Sequence, residues 1–311
     1  MSFVHLHGHS TFSFLEAIGK PNAILSKAKE LEMNAIAITD YNGMYGIIKF
    51  YQMAKDEGIK PIVGVELGFV LDIDSTTNIN QIGNIVLIAK NKEGYQNLMD
   101  ITAIANTKGI KNKPKIDINV LKQYGKGIIA IFGGIESWIG KMFAVDEKET
   151  KIIEIIQMIK DTVDDVYLEI IAQDYKNVPE IKKINNLIFE IAKKNKLECV
   201  VNNNYHYPKK EDKEAWETAL AIKDGKKIYD QDRRKPKGEY FIMSENEIRE
   251  ILIQNGFEKN EIDGFIENNN KVADSIQTEI DLNQVLFPNY INPEDIIQLY
   301  DEVKDSLLVD E

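Results

Sequence analysis

The stretch AIAITDYNGMYGIIKFYQMAKDEGIKPIVGVEL, residues 35–67, places a segment of helical periodicity between two short apolar runs. Residues 35–39 predict a buried strand, residues 43–57 a helix that ends at Gly58, and residues 62–67 a second strand. Apolar runs without alternation are typical of strands covered on both faces, as in parallel sheets. This stretch therefore predicts one strand–helix–strand unit of an α/β protein.

The same alternation continues on both sides of this unit, through the first two thirds of the chain. Further strands are predicted at residues 3–7, 85–89, 127–132, 166–171 and 198–202. Further helices are predicted at residues 21–33, 92–107, 148–162, 178–195 and 211–224. About seven strands separated by helices predict either an α/β barrel or an open doubly wound sheet.

We favour the α/β barrel, because polar residues recur at the ends of the predicted strands, where barrels gather their chemistry. Residues 226–311 form a mixed, more polar C-terminal extension, with helices predicted at 245–255, 259–276 and 294–308. We expect one domain over residues 1–280 and a connector over residues 281–311.

The composition is that of a globular protein. The 311 residues carry a formal net charge of −12, with 43 % hydrophobic and 28 % charged residues. No apolar run reaches the roughly 18–20 residues of a membrane helix, and the first residues lack the pattern of a signal peptide. Cys199 is the single cysteine, which excludes an internal disulfide. We expect a cytoplasmic protein with no membrane partner.

The negative charge also bears on nucleic acids. Proteins that bind through phosphate contacts are usually basic, so we expect weak or no direct nucleic-acid binding by this chain alone. The richest basic run, residues 233–237, is interpreted as a solvated loop.

Three of the four histidines lie within five residues, at His5, His7 and His9. Positions spaced by two share one face of an extended segment. Neutral imidazoles in such an arrangement are common zinc ligands. The alternative is that these histidines line the end of a strand and bind nothing.

Other polar residues follow the later strands of the predicted barrel. They are Asp40, Glu66, Asp174, Asn203, Asn204 and His206. Asp40 is explained equally well as the N-cap of the next helix. Glu66 lies inside an apolar run, and a buried carboxylate needs a charged or hydrogen-bonding partner.

One combination of these residues suggests a chemistry. His7, His9 and Glu66 could hold one zinc or manganese ion as a set of two imidazoles and one carboxylate. Such an ion can lower the pKa of bound water and polarise a phosphoryl oxygen. The residues alone therefore suggest a metal-dependent phosphoester hydrolase.

The sequence resembles the PHP (polymerase and histidinol phosphatase) domain of the bacterial DNA polymerase III alpha subunit. The motifs that carry the resemblance are FVHLHGHSTFS (3–13), the stretch 35–67, GIIAIFGGIES (127–137), VVNNNYHYPKKEDKEAWETALAI (200–222), GEYFIMSENEI (238–248) and LFPNY (286–290). The resemblance covers essentially the whole chain and implies the PHP fold, a distorted (β/α)7-type barrel. Members with an intact site hold a cluster of metal ions and can have phosphoesterase or proofreading exonuclease activity.

The resemblance also assigns ligand positions, of which some are kept and some are changed. The kept positions are His7, His9, Asp40, Glu66 and His206. The changed positions are Tyr41 and Tyr175 in place of histidines, Gly134 in place of a cysteine, and Asn204 in place of an aspartate. Glycine offers no side-chain ligand, asparagine has no charge, and a protonated tyrosine is a poor ligand. The resemblance therefore implies a degenerate metal site.

The leading functional hypothesis is a structural and interaction module in DNA replication with little or no hydrolase activity. Its expected partners are the remainder of the polymerase alpha subunit and a separate proofreading exonuclease subunit. Residues 281–311 resemble the entry to the polymerase palm, so we expect that this chain cannot itself polymerise DNA. One alternative is a residual metal-dependent phosphoesterase or 3′–5′ exonuclease that uses His7, His9, Glu66 and His206. Another is a free-standing PHP phosphatase.

Overall fold

The computed structural model describes residues 3–74, 82–109 and 113–282. The helix predicted at 294–308 and the LFPNY motif lie outside these residues. By their contacts the residues fall into two units, Met1–Glu279 and Ile280–Glu311. The proposed domain limits of 1–280 and 281–311 stay a prediction. In the part of the chain that is described, no helix has the length and apolar character needed to cross a membrane.

Seven strands form one sheet. They are β1 (Ala35–Ile38), β2 (Lys60–Phe69), β3 (Gly83–Ala89), β4 (Lys115–Ile116), β5 (Ile128–Gly133), β6 (Asp165–Ile171) and β7 (Cys199–Asn202). Their order is β1-β2-β3-β5-β6-β7, and the short β4 pairs with β2. Most of these strands lie within two residues of their predicted positions, because their runs are apolar throughout.

Ten α-helices accompany the sheet. They are α1 (Pro21–Glu30), α2 (Ile47–Asp56), α3 (Lys92–Thr107), α4 (Ile118–Tyr124), α5 (Trp138–Ala144), α6 (Glu149–Lys160), α7 (Pro179–Asn195), α8 (Lys213–Lys223), α9 (Glu245–Gln254) and α10 (Lys259–Ser275) in the described residues. The short helices α4 and α5 are absent from the sequence prediction. Each begins at a side-chain cap, on Asp117 and Ser137 respectively.

The sheet is mixed, whereas the apolar runs suggested a parallel one. β3 runs antiparallel to both β2 and β5, while the other pairs are parallel. The sequence predicts no helix between β2 and β3, and neighbouring strands without a helical crossover pair antiparallel. The apolar character of these strands reflects their burial on both faces and not their direction.

The opening segment, residues 3–9, is extended but is not the regular strand predicted at 3–7. It lies between the edge strands β1 and β7. His5 O accepts a hydrogen bond from Ala37 N at 2.9 Å, and His9 N donates to Tyr205 O at 2.8 Å. Leu6 N donates to the side-chain oxygen of Asn202 at 2.7 Å. The segment thus joins the two sheet edges, which confirms the predicted distorted barrel.

The last described helix closes the barrel at the end away from the strand-end loops. Val272, Ala273 and Ile276 pack with the buried side chains of the opening segment and the strands. The buried amide of Asn269 accepts from Val201 N and donates to the carbonyls of Val4 and Val201. These bonds hold α10, β7 and the opening segment together. The candidate ligands lie at the opposite end of the barrel, where the strands end.

Candidate metal centre

Three candidate ligands meet at the open end of the barrel. His7 Nε2 lies 2.9 Å from Glu66 Oε2, and His9 Nε2 lies 3.1 Å from the same oxygen. All three side chains are buried, and one ligand atom from each lies within 4.8 Å of the others. Within residues 3–74, 82–109 and 113–282, this is the one group of three or more such side chains that could hold a metal ion.

The two histidines meet Glu66 because of the backbone between them. In an extended segment, side chains two residues apart point to the same side. Gly8 lies between them, and a Cβ at this position would lie 2.0 Å from the ring of Tyr205. Glycine therefore lets the opening segment approach Tyr205 closely enough for both imidazoles to reach the centre.

The hydrogen bonds of His9 fix its tautomer. Ser13 Oγ donates to Asp40 Oδ1 at 2.7 Å, so it accepts from His9 Nδ1 at 3.2 Å. His9 Nε2 then carries a lone pair and, among the described residues, has no hydrogen-bond partner. A lone pair facing a carboxylate oxygen at 3.1 Å is the arrangement that a shared cation stabilises. The three residues therefore fit one ion.

His7 lies between two carboxylates. Its Nε2 contacts Glu66, and its Nδ1 lies 3.0 Å from Glu169 Oε1. Burial alone would lower the pKa of His7, but the two carboxylates outweigh burial and raise it to about 10. In turn, burial would raise the pKa of Glu66, but the charge and hydrogen bond of His7 outweigh burial and hold it below its usual value.

Glu169 was missed in the sequence analysis. It is fully buried in β6, and besides His7 it accepts from Asn202 Nδ2 at 2.9 Å. A carboxylate on the far nitrogen of a metal-binding histidine orients the ring and raises its basicity. The signal was a charged residue inside the apolar run VYLEII, the same signal that singled out Glu66.

Two more polar residues extend the network on the side of β3. Asn84 Nδ2 donates to Glu66 Oε1 at 2.5 Å. Lys113 Nζ donates to Asn84 Oδ1, also at 2.5 Å. Glu66 is therefore positioned from both sides, by His7 and by Asn84.

Asp40 lies near the centre but makes other bonds. Its carboxylate accepts from Ser10 N, Ser10 Oγ and Ser13 Oγ, each at 2.7 Å. The alternative of a helix N-cap is wrong, because α2 begins four residues after Gly43 and its N-cap is Gly46. Asp40 instead fixes the loop that follows the opening segment, and its role as a metal ligand stays a prediction.

His206 lies against the centre without joining the three-residue group. Its Nδ1 donates to Asn204 O at 2.8 Å, and Tyr41 OH lies 3.4 Å from its Nε2. Its ring centroid is 4.6 Å from that of His9. Burial lowers the pKa of His206 well below its usual range, so the ring is neutral. Its role as a ligand also stays a prediction.

Three of the four changed positions line the site. Tyr41 stacks on His9 with ring centroids 3.9 Å apart, and burial raises the pKa of its hydroxyl, which therefore stays protonated. Gly134 lines a small cavity of about 220 Å³ together with His7 and Glu66. The buried Oδ1 of Asn204 finds no hydrogen-bond partner in the part of the chain described.

The fourth changed position, Tyr175, does not line either cavity at the centre. Its ring packs against Ile171, Val178 and Ile181. Its hydroxyl accepts a hydrogen bond from Asn185 Nδ2 at 3.1 Å. Tyr175 has thus become part of the packing between β6 and α7.

The remaining candidates have structural partners. His5 Nε2 donates to Met243 O at 2.9 Å, and burial lowers the pKa of this ring to about 4. Asp174 accepts from Lys176 N and Asn177 Nδ2 in the turn before α7. Asn203 Nδ2 donates to Phe241 O at 2.7 Å. The structure does not bring these three residues to the centre.

The basic run lies in a loop, as expected, and Arg234, Lys235 and Lys237 are exposed. Arg233 pairs with Glu217 at 2.8 Å. Arg234 pairs with Asp224 at 3.0 Å and with Glu16 at 3.2 Å. The two arginines of this loop thus pair with carboxylates of α8, of the turn after it and of the first loop, which the sequence did not predict.

Comparison with known protein families gives a match for this chain. The family model described as "PHP domain" matches residues 5–173, which include His7, His9, Asp40 and Glu66.

The chain belongs to the PHP domain family.

The curated relatives of this PHP domain are DNA polymerase III alpha subunits. That of Borreliella burgdorferi is 30 % identical over 297 residues, which cover 94 % of this chain and 25 % of the relative. That of Aquifex aeolicus is 34 % identical over 238 residues, which cover 73 % of this chain and 20 % of the relative. The chain thus spans about a quarter of the length of the relatives that it matches.

Two solved structures show a partial similarity to this chain. An amidohydrolase from Chromobacterium violaceum has a TM-score of 0.43 at 14 % identity, covering 66 % of this chain and 88 % of its own. A protein from Bifidobacterium adolescentis, described as a metal-dependent phosphoesterase, has a TM-score of 0.41 at 13 % identity, covering 83 % and 97 %. Neither likeness assigns chemistry to this chain.

Proposed function

We propose that this chain is the amino-terminal PHP module of a DNA polymerase III alpha subunit, and that it acts in DNA replication as a structural and interaction module. The support is its match to alpha subunits along most of its length. In this function the domain has little or no hydrolase activity of its own.

One observation carries the loss of hydrolysis: the described residues bring together a single group of three ligands. Multi-ion hydrolysis places two metal ions about 3.5–4 Å apart, where they stabilise the attacking and the leaving oxygen. A second ion would need further ligands, and the neighbouring positions hold a protonated tyrosine, a glycine and an asparagine, at Tyr41, Gly134 and Asn204.

The remaining ion site has a structural use. His7, His9 and Glu66 are the residues that would hold a zinc or manganese ion, since both metals accept imidazole nitrogen and carboxylate oxygen. When bound, such an ion supplies Lewis acidity. It would also hold the opening segment to β2, because the ligands come from these two elements.

The proposed partners are the remainder of the alpha subunit and a proofreading exonuclease subunit. Direct DNA binding by this chain is expected to be weak, since the arginines of its basic run are already paired with carboxylates. Affinity purification of the tagged chain from its own cells should recover one or both partners. Recovery of neither would contradict the proposed interaction role.

The second candidate function is a residual phosphoesterase or 3′–5′ exonuclease. It is favoured by a cleft of about 730 Å³ beside the metal centre. The cleft is lined by His206, by Tyr41, which stacks on His9, and by Asn84, which donates to Glu66. A single ion with a neutral histidine beside it could support slow hydrolysis of a phosphoester.

Metal content and hydrolysis together separate the two candidates. The wild-type chain and the variant His7→Ala/His9→Ala are analysed by elemental mass spectrometry and assayed on bis-p-nitrophenyl phosphate and single-stranded DNA. We expect one ion in the wild type, none in the variant, and background hydrolysis in both. A wild-type rate that disappears in the variant would establish the residual hydrolase instead.

A further inference from the structure

One wall of the cleft beside the metal centre is an irregular loop. Residues 225–237 follow α8, and all of them lie in the described part of the chain, without helix or strand. Arg234 and Pro236 of this loop line the cleft. Irregular loops of about 12–15 residues are uncommon in compact domains, and many of them are functional, for example as lids. We call residues 225–237 the strap.

The strap buries little apolar surface. Each residue from 225 to 237 is exposed or only partly buried. Its large apolar side chains, Ile228 and Tyr229, are 39 % and 70 % exposed. Burial of apolar surface is the main force that holds a segment to its domain. The strap is therefore held mainly by other contacts.

Ion pairs of two arginines hold the strap against the domain. Arg233 Nη2 donates to Glu217 on α8 at 2.8 Å. Arg234 donates to both carboxylate oxygens of Asp224, each at 3.0 Å, and to Glu16 at 3.2 Å. The planar guanidinium suits such two-pronged contacts. These carboxylates belong to α8, to its end and to the first loop, so the pairs join the strap to elements outside it.

The ends of the strap are bonded to the domain through the backbone. Lys226 N donates to Ala221 O at 2.8 Å, and the carbonyl of Gly238, just after the strap, accepts from Lys213 Nζ at 3.0 Å. Between these ends, the arginine pairs are the polar contacts that cross from the strap to the rest of the described domain. Gly225 has φ +66° and no described atom within 4 Å of an added Cβ, so the backbone meets little steric resistance there.

The arginine pairs are partly open to water. The side chains of Arg234, Asp224 and Glu16 are 41 %, 32 % and 22 % exposed. An exposed ion pair shifts an equilibrium by about fivefold at most, and dissolved salt screens it. The closed position of the strap therefore depends on a few weak contacts that are sensitive to ionic strength.

We propose that the strap is a gate of the cleft, held closed by the ion pairs of Arg233 and Arg234. When these pairs break, the strap detaches between its fixed ends and becomes extended. Arg234 and Pro236 then leave the wall of the cleft, and its entrance widens. The proposal goes beyond the proposed function, because a structural module and a slow hydrolase both contain this cleft.

Thiol labelling of the full chain tests the gate. Leu220 on α8 lines the cleft together with Arg234 and Pro236, and it is only 1 % exposed. The thiol introduced by Leu220→Cys, in a Cys199→Ala background, reacts with a neutral disulfide reagent only when the cleft opens. Its labelling rate is then proportional to the open population.

The test variants in this background are Arg233→Gln and Arg234→Gln. The matched control is Lys226→Gln, which loses the same charge, but whose partner Asp232 lies in the strap itself. Each arginine variant should speed labelling at position 220 by about fivefold. The control should leave the rate unchanged, because its ion pair does not join the strap to the domain.

Global unfolding is measured by the same reagent. With Leu220 restored, the buried Cys199 reports unfolding of the whole domain, and its labelling rate should be the same with and without the arginine substitutions. Equal labelling at position 220 in Arg234→Gln and Lys226→Gln would overturn the proposal. So would a rise at position 220 that is matched by an equal rise at Cys199.

A measurement on the wild type keeps the test independent of the variants. Chymotrypsin cuts extended chain, and Tyr229 gives it a site inside the strap. Cleavage after Tyr229 should become about threefold faster between about 50 and about 500 mM sodium chloride, after correction with a short tyrosine peptide, because salt screens the arginine pairs. A rate that does not respond to salt would also overturn the gate. Neither assay uses a metal ion or hydrolysis of a phosphoester, so the proposed function is tested separately.

Discussion

Two regions lie around the same end of the barrel. The first is the opening segment with β2, and the second is the pair of loops after β5 and β6. They differ in what their ligand positions contact. In the first region, His7 and Glu66 each contact buried polar side chains from other strands, Glu169 and Asn84. In the second, Gly134 has no side chain, and Tyr175 packs against Ile171, Val178 and Ile181.

The difference shows what ties a ligand to its position. In the first region the ligands also carry the hydrogen bonds that hold the opening segment, β2, β3 and β6 together. In the second region the positions belong to loops whose side chains have apolar neighbours within reach. Substitution of a polar residue in the barrel's hydrogen-bond network leaves its buried partners unpaired. A residue in a loop can be substituted by one that packs against neighbouring apolar side chains.

The largest expected effect is on the first region. Glu66→Ala should remove the bound ion and lower the free energy of unfolding of metal-free protein by about 3 kcal/mol, because it leaves a buried partner group uncompensated. Elemental analysis and urea unfolding measure the two effects.

The control for Glu66→Ala is Glu136→Ala at the cleft rim. Its pair with Lys141 is exposed, so the change in unfolding free energy should be below about 1 kcal/mol, with the ion retained. If both variants kept the ion and lost equal stability, Glu66 would not belong to a bonding network of the kind described.

The next effect concerns Tyr175. Tyr175→Ala should lower the free energy of unfolding by about 2 kcal/mol, as expected for truncation of a partly buried aromatic ring, and leave the ion content unchanged. Tyr175→His should also leave it unchanged, because the side chain packs toward Val178 and Ile181. Elemental analysis that found a second ion in Tyr175→His would show that this loop still faces the centre.

Gly134 is expected to show a smaller effect, of backbone origin. Its φ is +75°, and an added Cβ would lie 3.0 Å from Ile171 Cγ1. Gly134→Ala should therefore cost about 1–2 kcal/mol of unfolding free energy. Gly225 has a similar φ of +66° with no atom within 4 Å of the added Cβ. Gly225→Ala thus measures the loss of stability that comes from the backbone conformation alone. Denaturant unfolding of both variants then gives, as the difference, the part that comes from the contact with Ile171.

The smallest effect is expected at Cys199. Burial raises the pKa of its thiol to about 12, and its backbone carbonyl accepts from Asn268 on α10. The thiol should resist a disulfide reagent until the chain unfolds, and Cys199→Ala should keep the full ion content. Rapid labelling of the native protein would mean that the thiol is accessible in the folded state. Loss of the ion in Cys199→Ala would mean that this cysteine serves the centre in place of the one missing at Gly134.

Much of the barrel could be predicted because its strands are apolar throughout and its helices have a clear periodicity. Helix α3 begins and ends at the predicted residues, and Asn91 caps its first turn. The direction of β3 could have been predicted too, since the sequence predicts no helix between β2 and β3. The irregular opening segment could not, because its hydrogen-bonding partners, Ala37 and Tyr205, lie far along the chain and are set by the closure of the barrel.

The candidate site was predicted in part. His7, His9 and Glu66 were grouped correctly from their spacing and burial, and Glu169 carried the same signal as Glu66. The bonds of Asp40 to Ser10 and Ser13 were not foreseeable, since a loop conformation decides which donors reach a carboxylate. The packing of Tyr175 against Ile171, Val178 and Ile181 was not foreseeable either, because it depends on the space beside α7.

The position of the opening segment has a consequence for how the protein folds during synthesis. Its bonds to Asn202, Met243 and Asn269 span 196, 238 and 265 residues of sequence. At ribosomal rates of about 5–20 residues per second, the segment waits on the order of 10–50 s before its last partner emerges. During that time the opening segment lacks its bonds to β7 and α10, and its free backbone groups are open to pairing with other chains. We therefore expect closure of this long loop to be a slow step in folding, because long-range contacts form slowly.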